Sequence, residues 1–210
     1  MAIPRDRRDE QTSPRRSRGG VGVDRSTARQ ARPWPSCRHT HPTIDAASEV
    51  RDKLRGREID SIQVETYAAA LDVCDRPTPQ TAYDAKFSLQ HCVAASLCGD
   101  VDFDAFEAPA RKRLAPIAAR VTLSRSDGYT SAYPRAWGAT VTVALKDGAT
   151  LRAARDHAKG DPEAALARAE LIAKARMLLA HGGVANANQL IEAVLALADD
   201  GPLPHLPLTA

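Results

Sequence analysis

Four side chains able to bind a ligand or move a proton, Cys37, Arg38, His39 and His41, lie within five residues and are followed at once by Pro42. Cysteine and histidine are zinc's usual ligands. The i, i+2, i+4 spacing of Cys37, His39 and His41 fits no standard zinc motif, however, and no second C-x-x-C or H-x-x-x-H completes a set, so no metal site is expected. Two other readings stay open: a polar cap on a helix, or a receiver for a carboxylate at a helix start, where unpaired N–H groups and partial positive charge gather. Arg38, with its forked guanidinium, is the candidate carboxylate clamp; the alternative is an arginine lying free on the surface. His91 is the other candidate proton carrier, although a lone histidine on a face with Phe87 and Ala94 is more often a satisfied core residue than a catalyst. No G-x-G-x-x-G, Walker or G-x-S-x-G sequence is present, so dinucleotide, P-loop and serine-hydrolase chemistry have no support.

The elements that must hold these residues follow from periodicity. Proline is favoured at the first helical position, so a helix starts at about Pro42 and places Ile44, Ala47, Val50 and Leu54 on one side. Ile59 to Tyr67 alternates as a half-buried strand does, and Arg76-Pro77-Thr78-Pro79 makes a stiff connection. Tyr83 to Cys98 reads as a second helix with Phe87, His91, Ala94 and Cys98 on one face, closed by Gly99 in a left-handed cap. A short helical segment over 102–114 and a strand over 119–123 come next. Ala139 to Leu145 alternates, and Asp147-Gly148 turns the chain back through Thr150 to Arg155 in a hairpin. After Gly160-Asp161-Pro162, Leu166, Ala169, Ala173 and Met177 line one side of a helix, and a last, broadly apolar helix spans about 188–198. This order gives an α+β fold, an antiparallel sheet with packed helices, and lacks the β-α-β alternation of a parallel sheet.

The chain has 210 residues, enough for one domain with a real core. Its net charge of +3 misleads, because residues 1–32 carry nine arginines against four acids and the remainder balances at −2. Those 32 residues are poor in large apolar side chains and are expected to be a disordered, Arg-rich tail. The Arg15-Arg16 pair lacks the hydrophobic region of an export signal, and a nucleic-acid arm or a transit peptide rests on the tail alone. The nearly neutral body argues against nucleic acid as a partner. Four cysteines without a C-x-x-C pair, and no apolar run of the roughly 18 residues a membrane helix needs, fit reduced thiols in a cytoplasmic protein with no membrane partner. The expected divisions are the tail at 1–32, an α+β domain at 33–183, and a C-terminal helix and tail at 184–210.

Three segments together resemble the MmgE/PrpD family, which includes 2-methylcitrate dehydratases of propionate metabolism and cis-aconitate decarboxylases. They are Pro35-Ser36-Cys37-Arg38-His39-Thr40-His41-Pro42-Thr43-Ile44-Asp45-Ala46-Ala47, Ala85-Lys86-Phe87-Ser88-Leu89-Gln90-His91-Cys92-Val93-Ala94, and Tyr133-Pro134-Arg135-Ala136-Trp137, leading to Gly160-Asp161-Pro162. The segments keep the family's order and intervals over about residues 32–200. The resemblance implies the smaller α+β domain that follows a large helical domain in the family, with the Arg-rich tail standing where the helical domain would be. It also implies a cofactor-independent lyase, dehydrating or decarboxylating a small tricarboxylate, whose site lies between the two domains. By the same resemblance His41 is the histidine of the T-H segment, and His91 occupies a position where some members have tyrosine. His41 and His91 are thus the expected acid–base pair in a common cleft, with Arg38 as substrate ligand. The chain by itself is expected to be an inactive C-terminal fragment, or else a non-catalytic remnant or interaction module keeping the fold. Its expected partners are the tricarboxylate, a helical domain on another chain, and further copies of itself through the apolar last helix.

Overall fold

A computed structural model describes residues 32–99 and 101–197. The expected disorder of the tail, apart from Arg32, lies outside the described residues, as does the chain beyond 197. Four strands, β1 Ile59–Thr66, β2 Val121–Arg125, β3 Ala139–Leu145 and β4 Thr150–Arg155, form one sheet in the order β2-β1-β3-β4. The sheet is mixed. β1–β3 and β3–β4 are antiparallel, as the alternation and the Asp147-Gly148 turn predict, with Gly148 at φ 85° where a side chain would be strained. β2, however, lies parallel to β1, with Ile62 opposite Val121 and Thr66 opposite Arg125. A helical crossover between these strands supplies the length that a parallel neighbour requires.

Helix α1, His41–Leu54, begins one residue before Pro42 and buries Ile44, Ala47, Val50 and Leu54 as expected. Behind it, the single helix expected over 83–98 is two. A short α3, Ala82–Lys86, ends at Phe87, and α4, Leu89–Cys98, restarts after Ser88, whose side chain accepts the His91 amide N–H. Serine competes with the backbone for hydrogen bonds and so favours a cap over a helix interior. Phe87 therefore lies outside the helix, and Cys98, at its end, is exposed. Gly99 closes α4 in extended backbone, φ 169°, and not in the left-handed cap expected.

Every residue of α4 from Leu89 to Leu97 is buried, because the helix lies between two core clusters. Val93 and Leu97 join Ala47, Val50, Ile62, Val64, Val141 and Val143 against the sheet. Cys92, Ala94 and Ala95 join Ile44, Phe106 and Leu114 on the other side. Leu114 belongs to α5, Ala108–Ala118, which runs past the expected end at 114 despite Pro116. Two short helices, α2 Ala68–Cys74 and α6 Asp127–Ala132, have no counterpart in the periodicity, being too brief to show it.

The chain ends in α7, Arg168–His181, and α8, Ala187–Ala196. Leu166 precedes α7, and Ala169 and Ala173 are exposed, so the stripe expected there is not the packed one. Ile172, Ala175 and Leu179 face α8 across a groove of about 380 Å³ that Leu190, Val194 and Leu195 complete. Polar and ring contacts connect the pair to the domain: Lys174 to the Arg32 carbonyl, Lys159 to Glu170, and Phe103 stacked on His181 at 4.2 Å.

Candidate active site

Arg38 opens a 3-10 turn, Arg38–Thr40, that leads directly into α1. The turn is tied down locally: the Thr40 amide and hydroxyl both donate to the Cys37 carbonyl, at 2.9 and 2.8 Å, and the Thr43 hydroxyl donates to the Thr40 carbonyl at 2.6 Å. Arg38 is only 5% exposed, which removes the free surface arginine reading. Its Nη2 pairs with Asp161, 123 residues away and equally buried.

A turn shaped for the purpose delivers Asp161. Gly160 sits at φ 89°, a conformation that side chains resist. The other Asp161 oxygen accepts the Ala158 amide at 3.0 Å, and the Lys159 amide donates to Asp45 on α1 at 2.7 Å. Trp34 donates to the same Asp45 carboxylate at 2.8 Å. Burial pushes the Asp45 carboxyl up, opposed by those two hydrogen bonds.

Around Arg38 stands a group of rings that spacing alone did not single out. Trp137 lies 5.8 Å from the guanidinium and stacks on His39 at 4.8 Å; Tyr67 stacks on Tyr133 at 4.7 Å, and its hydroxyl pairs with His39 Nδ1 at 2.8 Å. Burial raises the Tyr67 phenol above its usual range, so it stays protonated. The Tyr133–Trp137 segment and Asp161 lie within the stretches that carried the family resemblance, and that was the signal available for them. Tyr67 had only its place at the end of a strand.

The two candidate histidines are both in the interior. His41, with no exposed surface, directs Nε2 at the Ser36 carbonyl, 3.3 Å away. Burial and then the Arg38 charge bring its pKa down to about 3, so the ring is neutral at pH 7. A carbonyl partner at Nε2 places the proton there and leaves Nδ1 as a bare acceptor. Nδ1 has no hydrogen-bond partner among the described residues, and neither do Nε and Nη1 of Arg38. His91, 2% exposed, pairs Nε2 with the Ala105 carbonyl at 2.8 Å and leans on the Phe106 ring. Its pKa is lowered by burial, and its surroundings are those of a satisfied core histidine.

Arg38 and His41 thus share one buried neighbourhood. His91 lies on α4, with no hydrogen bond or ring contact to either, and five prominent cavities among the described residues have none of the three in their linings. Chemically, Nε and Nη1 of the guanidinium are charged N–H donors able to hold a carboxylate oxygen, and Nδ1 of His41 is a proton acceptor in the same neighbourhood. No group of three or more histidine, cysteine or acidic side chains among the described residues is arranged to hold a metal ion. Compared with known families, residues 34–199 match the model of the MmgE/PrpD C-terminal domain. No curated protein matches the chain.

Proposed function

Since the chain belongs to the MmgE/PrpD family through its C-terminal domain, we propose that it supplies the carboxylate-holding side of a lyase acting on a small tricarboxylate such as 2-methylcitrate or cis-aconitate. One observation carries the reading: two guanidinium nitrogens of Arg38 and Nδ1 of His41, all fully buried, have no hydrogen-bond partner among the described residues. Unpaired buried polar atoms are costly, roughly 1–3 kcal/mol each and more when charged; a substrate carboxylate would satisfy the two guanidinium donors, and Nδ1, an acceptor, would take the substrate's proton.

In this reading Arg38 holds a carboxylate, with Asp161 fixing the guanidinium from behind. His41 accepts the proton removed next to a carboxylate, its depressed basicity rising once the substrate's negative charge lies beside it. His91 takes the second proton transfer. That step asks more of the structure, since its Nε2–H is already committed to the Ala105 carbonyl.

The burial of His41 and His91 away from any prominent cavity favours a second reading, a non-catalytic interaction module that keeps the fold. The test is to assay purified protein with 2-methylcitrate and cis-aconitate, alone and mixed with a separately expressed helical domain of the family. No turnover alone, and turnover on mixing that falls at least about 100-fold in His41→Ala and in Arg38→Lys, is the expected outcome. A mixture that stays inactive while the two proteins bind each other supports the module; activity indifferent to His41→Ala and His91→Ala rejects the site.

A further inference from the structure

We propose that Cys37 and Cys74 form a peroxide-responsive thiol pair, in which hydrogen peroxide or a small organic hydroperoxide oxidises Cys37 and Cys74 closes a disulfide onto it. Three of the four cysteines gather around one loop, although 37 and 55 residues separate Cys74 and Cys92 from Cys37 in the sequence. Cys37 is partly exposed and Cys74 is fully buried, and the two thiols are near enough that each shifts the other's ionisation.

The surrounding backbone holds the two residues together. The Cys37 amide donates to the Lys86 carbonyl at 2.9 Å. Directly after Cys74, Asp75 accepts from the Gln90 side chain and the Arg76 carbonyl accepts from the Ser88 hydroxyl, both at 2.6 Å. Both cysteines are therefore anchored to the same short stretch, 86–90. Helix α2, which ends at Cys74, packs on the 3-10 turn that follows Cys37.

The roles divide by environment. The neighbouring Cys74 S–H, helped by the His39 amide and by Arg32 and Arg76, draws the Cys37 thiol well below the usual thiol range, while the proton stays on Cys74. Cys37 is thus the attacking thiolate. The remaining cysteines are set apart from this chemistry: burial pushes Cys92 up to about 12, and Cys98, also raised, lines a separate cavity with Ala95 and Arg113.

The chemistry closes without a further reactant. The Cys37 thiolate attacks one peroxide oxygen, the O–O bond breaks, and the departing alkoxide or hydroxide takes a proton, leaving Cys37 as a sulfenic acid. With the charge gone from Cys37, the repulsion that kept the proton on Cys74 is relieved. The Cys74 thiolate then attacks the sulfenic sulfur, and hydroxide leaves and takes up the Cys74 proton as water. Two thiols lose two electrons and two protons; the peroxide is reduced to an alcohol or water plus one water. The disulfide lies one residue from Arg38, so its formation constrains the turn that carries the guanidinium.

The experiment treats the full chain with one equivalent of hydrogen peroxide, maps the peptides by mass spectrometry and counts free thiols. Expected is a Cys37–Cys74 cross-link within one chain, with the free thiols falling from four to two and returning to four with dithiothreitol. In Cys74→Ser, dimedone should capture a persistent sulfenic acid at Cys37, labelled at least about tenfold faster than Cys98. Four thiols remaining free, first labelling at Cys98, a Cys37–Cys92 bond, or a cross-link between two chains would each overturn the assignment. The mapping of the unaltered chain decides the matter even if Cys74→Ser fails to fold.

Discussion

The Arg38–Asp161 pair is buried on both sides, and its two halves are not equally replaceable. Asp161→Asn leaves a guanidinium in the interior without counter-charge, and breaking a buried pair from one side typically costs about 3–5 kcal/mol. Urea unfolding should show a loss of that size. His41 adds a pH dependence of known sign. Its ring protonates near 6.5 in the unfolded chain but only at about 3 in the fold, so between these values the unfolded state binds more protons. Stability from this group is fully present above about pH 6.5 and falls as pH drops through the window, by up to roughly 1.4 kcal/mol per unit. His39 and His91, also lowered by burial, act in the same direction, while the raised Asp45 opposes them at the acid end. Urea midpoints measured from pH 7 to pH 4 should fall steadily, and His41→Gln should flatten the profile. At this scale the sequence shows Arg38 and His41 as neighbours because they are neighbours in the chain. It does not show Asp161 behind the guanidinium, Trp137 over it, or Cys74 beside Cys37. Each of those partners lies 37 or more residues away and is brought in by packing, which local spacing does not encode.

The elements with strong periodicity, α1, β1, β3 and the hairpin to β4, fall within a residue or two of where their patterns place them. Two kinds of element do not: α2 and α6, shorter than two full turns, and the α3–α4 break, where the apolar spacing runs through a capping serine. Ser88 is the residue on which that break depends. Its hydroxyl accepts the His91 amide at 3.0 Å and donates to the Arg76 carbonyl at 2.6 Å, so Ser88→Ala removes a cap and strands a carbonyl at once. A loss of about 2–3 kcal/mol is expected, larger than the ~1 kcal/mol of an ordinary cap, and thermal or urea unfolding will measure it. The parallel placement of β2 was equally hidden, because strand direction is set by the crossover and not by the strand's own residues.

At the scale of the whole molecule, α7 and α8 bury little beyond each other. Leu171, Leu178, Val194 and Leu197 are exposed beside or within their groove, an apolar surface of a kind that single-chain proteins rarely present. The chain should bind a hydrophobic dye such as anilinonaphthalene sulfonate, and Leu178→Asp with Val194→Asp should remove most of that fluorescence. No described helix is long and apolar enough to cross a membrane. The pairing of Arg38 with Asp161 bears also on how the chain is made. A ribosome releases residue 38 long before residue 161, and until Asp161 emerges the start of α1 has no counter-charge to bury with. Non-local contacts of this kind delay folding until the distant segment arrives. The nascent domain should therefore stay open to protease through most of its synthesis and close late: chains stalled with residue 155 clear of the exit tunnel should be digested, and chains stalled beyond residue 165 should resist.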